Sequence, residues 1–348
     1  MKTKNDLIYA IAKEIDLNHT YLTTDSIDSI YFGGGTPSLL SIAELEIILN
    51  KLSRYFIFKS DIEITLEANP DDITKSYLKD LKKVGISRFS MGVQSFIDEE
   101  LVILNRYHDS QKAEYAIKLI QDNQFENMNI DLIFGIPNSS LKSWLFNLKK
   151  FIDLDIPHLS CYNLTIEPKT AIYHQIKTDK LPAPDDDLNA KLFLETFDIL
   201  SSIGYEHYEI SNYAKDKAYA KHNTNYWRGI PYLGLGPSAH SFDGETRQWN
   251  ICNNRKYIRE INKGILPNEK EILSSKDKIN EYLMTGLRTM WGIDIHAIEK
   301  IDRDFIVSIQ QALTSFEKEG LVNHKDNNYK LTRSGKLLAD SITSALFV

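Results

Sequence analysis

The chain has 348 residues, 42% of them hydrophobic and 26% charged, with a formal net charge of −7. That composition is ordinary for a globular protein of roughly two domains. The acidic balance leaves no electrostatic footprint for nucleic acid, and no apolar run is long enough to span a membrane. Only two cysteines occur, Cys161 and Cys252; they lie far apart in no metal-ligand spacing, so a reducing cytoplasm is the expected compartment.

Taken in order, residues 5–17 predict an amphipathic helix, with Leu7, Ile8, Ile11 and Ile15 on one face. An apolar strand, Ile30-Tyr31-Phe32, then stops at Gly33-Gly34-Gly35 before Thr36-Pro37-Ser38 leads into a helix pattern at Ile42, Leu45, Ile48 and Leu49. Three glycines leave no Cβ at the strand's end, so a bound molecule can approach the backbone closely. Further strands are expected at 61–70, 88–95, 128–137 and 158–165, with helices at 41–55, 73–84, 98–123 and 140–153 between them. At about 26 to 41 residues per repeat, this is βα spacing and implies a parallel sheet, open or closed into a barrel.

Polar residues recur at the C-terminal ends of these strands: Glu67, Gln94 and Asp131, with Asn69 and Gly135 nearby. Singly, each reads as a cap for the following helix. In series, they point to one shared site at the strand ends, the place where barrel-like βα folds carry their chemistry.

After Pro182 the pattern changes. A helix is expected over 186–203, then a strand through 205–210 in an aromatic and polar stretch. His222-Asn223-x-x-Tyr226-Trp227 follows, then a run rich in glycine with a hairpin through Asp243-Gly244. The final segment predicts helices at 276–290, 295–301 and 304–319, a short hairpin turning at 325–328, and a helix over 332–343. That order is winged-helix-like. Residues 276–348 hold ten Lys or Arg and ten Asp or Glu, so the module lacks the basic face that DNA binding needs.

Several motifs together carry a resemblance. Gly33-Gly34-Gly35-Thr36-Pro37-Ser38, Glu67-Ala68-Asn69-Pro70, Gly92-Val93-Gln94-Ser95-Phe96, Leu104-Asn105-Arg106 and Asn129 through Pro137 resemble radical S-adenosylmethionine proteins of the oxygen-independent coproporphyrinogen III oxidase group. Tyr208 through Ala214, His222-Asn223-x-x-Tyr226-Trp227 and Glu281 through Arg288 are similar to its heme chaperone branch. The resemblance implies a partial (β/α)6 barrel lacking its first strand, and a C-terminal α+β domain ending in the winged-helix-like module. The expected division is a barrel over 1–180, a connecting and heme-region domain over 181–275, and the module over 276–348.

By the same resemblance, Gly34, Gly35 and Thr36 hold the amino group of S-adenosylmethionine, and Glu67, Gln94, Arg106 and Asp131 match further cofactor contacts. His222 is the implied ligand of heme iron, with Tyr226 and Trp227 shaping the porphyrin's contact surface; His207 and His240 are the next candidates. The implied activity is to bind heme and transfer it to an acceptor protein such as a respiratory enzyme. The alternatives are oxidative decarboxylation of coproporphyrinogen III, or an inactive truncated remnant. The family's cofactors are S-adenosylmethionine and a [4Fe–4S] cluster held by Cys-x3-Cys-x2-Cys. This chain has no such motif, so an N-terminal truncation is expected and the cluster is not expected in the chain as written.

Overall fold

The computed structural model describes residues 2–348. In chain order the elements begin with α1 (Lys2–Asn18), β1 (Ser26–Phe32), α2 (Ile42–Leu52), β2 (Ile57–Ala68), α3 (Lys75–Lys83), β3 (Arg88–Gln94), α4 (Asp98–Ile103) and α5 (Ser110–Asp122). Next come β4 (Asn127–Phe134), α6 (Leu141–Asp153), β5 (His158–Asn163), α7 (Ala171–Lys177), α8 (Asp186–Ser202), β6 (Glu206–Glu209) and β7 (Asn212–Ala214). The remainder is α9 (Lys221–Trp227), β8 (His240–Phe242), β9 (Thr246–Asn250), α10 (Asn254–Asn262), β10 (Asn268–Ile272), α11 (Ser275–Leu287), β11 (Ile293–Asp294), α12 (Ile295–Ile301), α13 (Ile306–Lys318), β12 (Val322–Lys325), β13 (Asn328–Leu331), α14 (Arg333–Leu337) and α15 (Ala339–Ala345).

The main sheet runs β1-β2-β3-β4-β5-β7-β6. β2 to β5 pair in parallel, as the βα repeat predicts, and β7 then turns the pairing antiparallel against β5. Two small antiparallel sheets follow, β10-β9-β8 and β11-β13-β12. The hairpin expected at Asp243-Gly244 joins β8 to β9. The helix predicted over 98–123 is two: α4 ends before Asn105, whose φ of 54° breaks the repeat. The last helix is likewise split at Leu338.

The chain divides into two compact units. One comprises Met1–Ile30, Leu40–Glu63 and Lys221–Val348; the other comprises Tyr31–Leu39 and Ile64–Ala220. In the second unit the parallel strands are apolar on the face the helices cover. Phe89, Met91, Val93, Ile130, Leu132 and Leu159 are fully buried. Trp144 of α6 packs on Phe134, and its indole N–H donates to Thr196 Oγ1 at 2.7 Å, so the buried ring leaves no donor unpaired.

In the first unit α1 buries Ile8, Ala10 and Ile15, with Ala10 packed on Tyr257 and Ile261 of α10. Ser41 and Glu44 form a reciprocal capping box that starts α2. Glu14, fully buried, ties α1 to three other segments. It accepts from Gly236 N–H at 2.7 Å, from Asn250 Nδ2 at 2.6 Å and from the Tyr257 hydroxyl. The winged-helix-like order at the C-terminus is present as α11 to α15 with the β11-β13-β12 sheet.

Candidate functional site

At the C-terminal ends of β2, β3 and β4 in the second unit lies a cavity of about 200 Å³, open to solvent. Its lining includes Gly35, Thr36, Glu67, Gln94 and Asp131. Thus five of the seven residues expected around a cofactor share one cavity. Gly34 is tied to the lining through Glu67, which accepts its N–H, and Arg106, exposed after α4, reaches the site by its charge, which acts on Asp131.

The glycine loop is held by Glu67. Its Oε2 accepts from Gly34 N–H at 3.1 Å and its Oε1 from the Tyr31 hydroxyl at 2.9 Å. Gly34 and Gly35 take φ of 73° and 45°, values that a Cβ makes costly. At Gly33 a Cβ would stand 2.7 Å from the Tyr31 ring and 3.1 Å from Glu67 Oε1, so only glycine lets the tyrosine, the carboxylate and the loop converge. On β3 a register shift between Met91 and Gln94 accompanies a φ of 70° at Gln94. A non-glycine residue in that region stores about 1–3 kcal/mol of strain, offset here by packing that leaves Gln94 only 8% exposed.

Asp131 sits in a polar cluster. Asn129 Nδ2 donates to Asp131 Oδ1 at 3.0 Å, to Ser90 Oγ at 2.9 Å and to Ser160 Oγ at 3.2 Å, while Arg88 Nη2 donates to Asn129 Oδ1 at 3.1 Å. Burial pushes the Asp131 carboxyl up to about 7. The Ser160 and Asn129 hydrogen bonds oppose the shift, and the charge of Glu67 adds to it. Burial first, then Glu67, also drives the Tyr31 phenol above its ordinary range, keeping it a hydrogen-bond donor. Tyr31, Ser90, Asn129 and Ser160 were not singled out from the sequence. Their signal was there in the alternation: Ser90 lies two before Gly92, Asn129 two before Asp131, and Ser160 two before Tyr162. Polar side chains at period two in apolar strands face one side of a sheet together.

The second set of expected residues lies in the first unit, on α9. His222 and Tyr226, one helical turn apart, have ring centroids 5.4 Å apart, and Tyr226 packs on Tyr232 in a tilted pair with centroids 4.1 Å apart. Tyr226 is 43% exposed, and Trp227 lies at the helix end, partly buried. Tyr232 is buttressed in turn: Arg247 Nη1 donates to its hydroxyl at 3.1 Å and pairs with Glu281 at 2.8 Å. The His222 Nδ1 lies 3.0 Å from Ser29 Oγ. Burial lowers the imidazole's pKa, with Glu63 and Asp28 pulling the other way.

The two other candidate histidines differ. His207, in the second unit, is buried and stacked flat on Tyr213 at 4.2 Å, with Nε2 3.0 Å from the Ile210 carbonyl; it is a core residue. His240, in the first unit, is exposed and stacked on Trp249. Cys161 is buried in β5 and Cys252 is exposed. Among the described residues no group of three or more His, Cys, Asp or Glu is gathered to hold a metal ion, and no helix is long and apolar enough to cross a membrane.

Residues 12–151 match the Radical SAM superfamily, and residues 273–338 match the HemN C-terminal domain. The chain is 32% identical to heme chaperone HemW of Bacillus subtilis over 97% of its own length and 90% of that protein's. It is 31% identical to heme chaperone HemW of Escherichia coli over 97% and 89% respectively. The solved structure of coproporphyrinogen III oxidase (HemN) from Escherichia coli, a radical SAM enzyme, superimposes with a TM-score of 0.84 at 25% identity, over the whole of this chain and 83% of that one. The α/β fold is therefore that of the HemN-type radical SAM barrel with its C-terminal domain, and the chain belongs to the HemW family of the radical SAM superfamily.

Proposed function

We propose that this protein binds heme and passes it to an acceptor protein, with His222 as the iron ligand. The observation that carries the reading is α9 itself. The His-Asn-x-x-Tyr-Trp motif is a helical turn, so the imidazole and the Tyr226 ring stand side by side, with Tyr232 packed at a tilt against Tyr226. Imidazole is a standard axial ligand of heme iron, and flat aromatic faces suit a porphyrin. Support comes from the relatives, which are named heme chaperones. Trp227, the last residue of α9, is assigned the porphyrin's edge in this reading. In this reading the protein works in the cytoplasm. The division into barrel (1–180), connecting domain (181–275) and C-terminal module (276–348) accompanies this reading.

The test is hemin titration of the wild type and His222→Ala, followed through the Soret band. Loss of affinity and a displaced band are expected in the variant; unchanged affinity and band position refute the ligand.

The cavity at the strand ends is the site for S-adenosylmethionine in this reading. The residues fit: Gly35 and Thr36 line the cavity and offer backbone groups to the amino-acid part, Gly34 holds the loop through its N–H to Glu67, and Glu67 offers a carboxylate. Gln94 and Asp131 offer donors and acceptors for the ribose, and Arg106 offers a cation for the ligand's carboxylate. In the superfamily that cofactor supplies radical chemistry together with a [4Fe–4S] cluster. The residues present do not fit the cluster, since the only cysteines are Cys161, buried in β5, and the exposed Cys252, so no step is derived through it. A second reading, oxidative decarboxylation of coproporphyrinogen III, is favoured by the HemN superposition alone. Turnover of coproporphyrinogen, measured beside heme retention, separates the two.

A further inference from the structure

We infer that Ser29 on β1 and Glu63 on β2 are positioning residues for the heme ligand: Ser29 selects the imidazole nitrogen that meets iron, and Glu63 fixes the turn that carries it. The inference rests on the reading of His222 as the ligand. Four hydrogen bonds support it, all within the first unit. The Ser29 hydroxyl is 3.0 Å from His222 Nδ1. The two Glu63 oxygens each take one amide of the first turn of α9, Lys221 N–H at 3.2 Å and His222 N–H at 3.1 Å. Asn225 Nδ2, further along the same helix, donates to Asp28 Oδ1 at 3.0 Å on β1.

The physical need for these contacts is plain. α9 has seven residues, too few to hold helical structure unaided. The first amides of a helix have no partner within it. Glu63 supplies one from a neighbouring strand while being only 6% exposed, and a carboxylate at that end also complements the helix dipole. The ligand's backbone is therefore set by a strand.

The ring follows the same logic. An imidazole that spends Nδ1 on Ser29 can offer iron only Nε2. When Nε2 coordinates, Nδ1 carries the proton and donates it to Oγ. A hydrogen bond from the far nitrogen of a ligating histidine fixes the tautomer and ring plane and raises the ligand's basicity. A bulky or apolar residue in place of Ser29 removes that acceptor.

The experiment uses the full chain with hemin as probe, in the wild type and in Ser29→Ala, Ser29→Thr, Glu63→Gln and His222→Ala. Hemin affinity and the iron–histidine stretching band of the ferrous complex, by resonance Raman, are read together, and far-UV circular dichroism checks folding. Ser29→Ala is expected to weaken hemin binding about tenfold or more, the usual cost of losing such a partner, and to move the iron–histidine band. Ser29→Thr, which keeps the hydroxyl, restores both. Glu63→Gln is expected to weaken binding and to speed amide exchange at Lys221 and His222. If Ser29→Ala leaves the band in place while His222→Ala abolishes it, the positioning role is overturned and the ligand assignment stands; an affinity loss without a band shift counts the same way. If His222→Ala changes nothing, both fall.

Discussion

Glu14 is a fully buried carboxylate that joins α1, the Gly236 turn, β9 and α10 through three donors. Glu14→Ala leaves the Gly236 amide, the Asn250 amide nitrogen and the Tyr257 hydroxyl without this acceptor. Asn250 keeps its bond to the Gly236 carbonyl at 2.8 Å, so the loss falls mainly on the other two. An abandoned buried donor costs about 1–3 kcal/mol, and the desolvation that Glu14 itself suffers is refunded. The net expectation is a loss of roughly 3 kcal/mol, a fall of about 6–12 °C in the melting temperature for a domain of 150–250 residues. Glu14→Gln keeps one acceptor oxygen and loses roughly half as much. The pH dependence carries a sign. Burial raises the Glu14 carboxyl above its ordinary value, against the bonds from Tyr257, Gly236 and Asn250. A raised folded value means that its contribution is complete below the unfolded pKa and is lost as pH rises through the folded one. The gap between wild type and Glu14→Gln in urea unfolding should therefore be wider at pH 5 than at pH 8. A gap that widens with pH, or a Glu14→Ala variant as stable as the wild type, would refute the account of this cluster.

Asp131, held up to about 7 chiefly by burial, should lower stability as pH rises from about 4 toward 7. Unfolding free energies across that window should fall more in the wild type than in Asp131→Asn, and parallel curves would contradict the assignment. Gly33→Ala places a methyl 2.7 Å from the Tyr31 ring, which should cost roughly 1–3 kcal/mol and weaken S-adenosylhomocysteine binding by calorimetry; wild-type affinity would show that the loop tolerates the shift. Anaerobic reconstitution of this chain should yield no stoichiometric [4Fe–4S] cluster, since its two cysteines are a buried Cys161 and an exposed Cys252. Near four irons per chain with the broad visible shoulder would overturn that.

The parallel strands were legible from residue order alone because their burial is regular. Runs such as Met128 to Phe134 and Arg88 to Gln94 bury nearly every position, and the intervening helices repeat every three to four residues. The glycine turn and the polar strand ends were legible too, since βα topology brings consecutive strand ends to one side whatever the details. Short elements were not. β7 has three residues, α7 has seven with none buried, and β10 is nearly all exposed, so no periodic pattern could accumulate. The break between α4 and α5 depended on one backbone angle at Asn105.

What only the tertiary structure decided is which distant residues complete a site. Tyr31 meets Glu67 across 36 positions, Ser29 meets His222 across 193, and Glu14 meets Tyr257 across 243. A serine in a strand or a glutamate in a helix looks the same to its sequence neighbours whether it faces water or a ligand. Its role comes from the partner that packing brings within 3 Å, and hydrogen-bonding range is a property of three-dimensional proximity that local propensity does not encode.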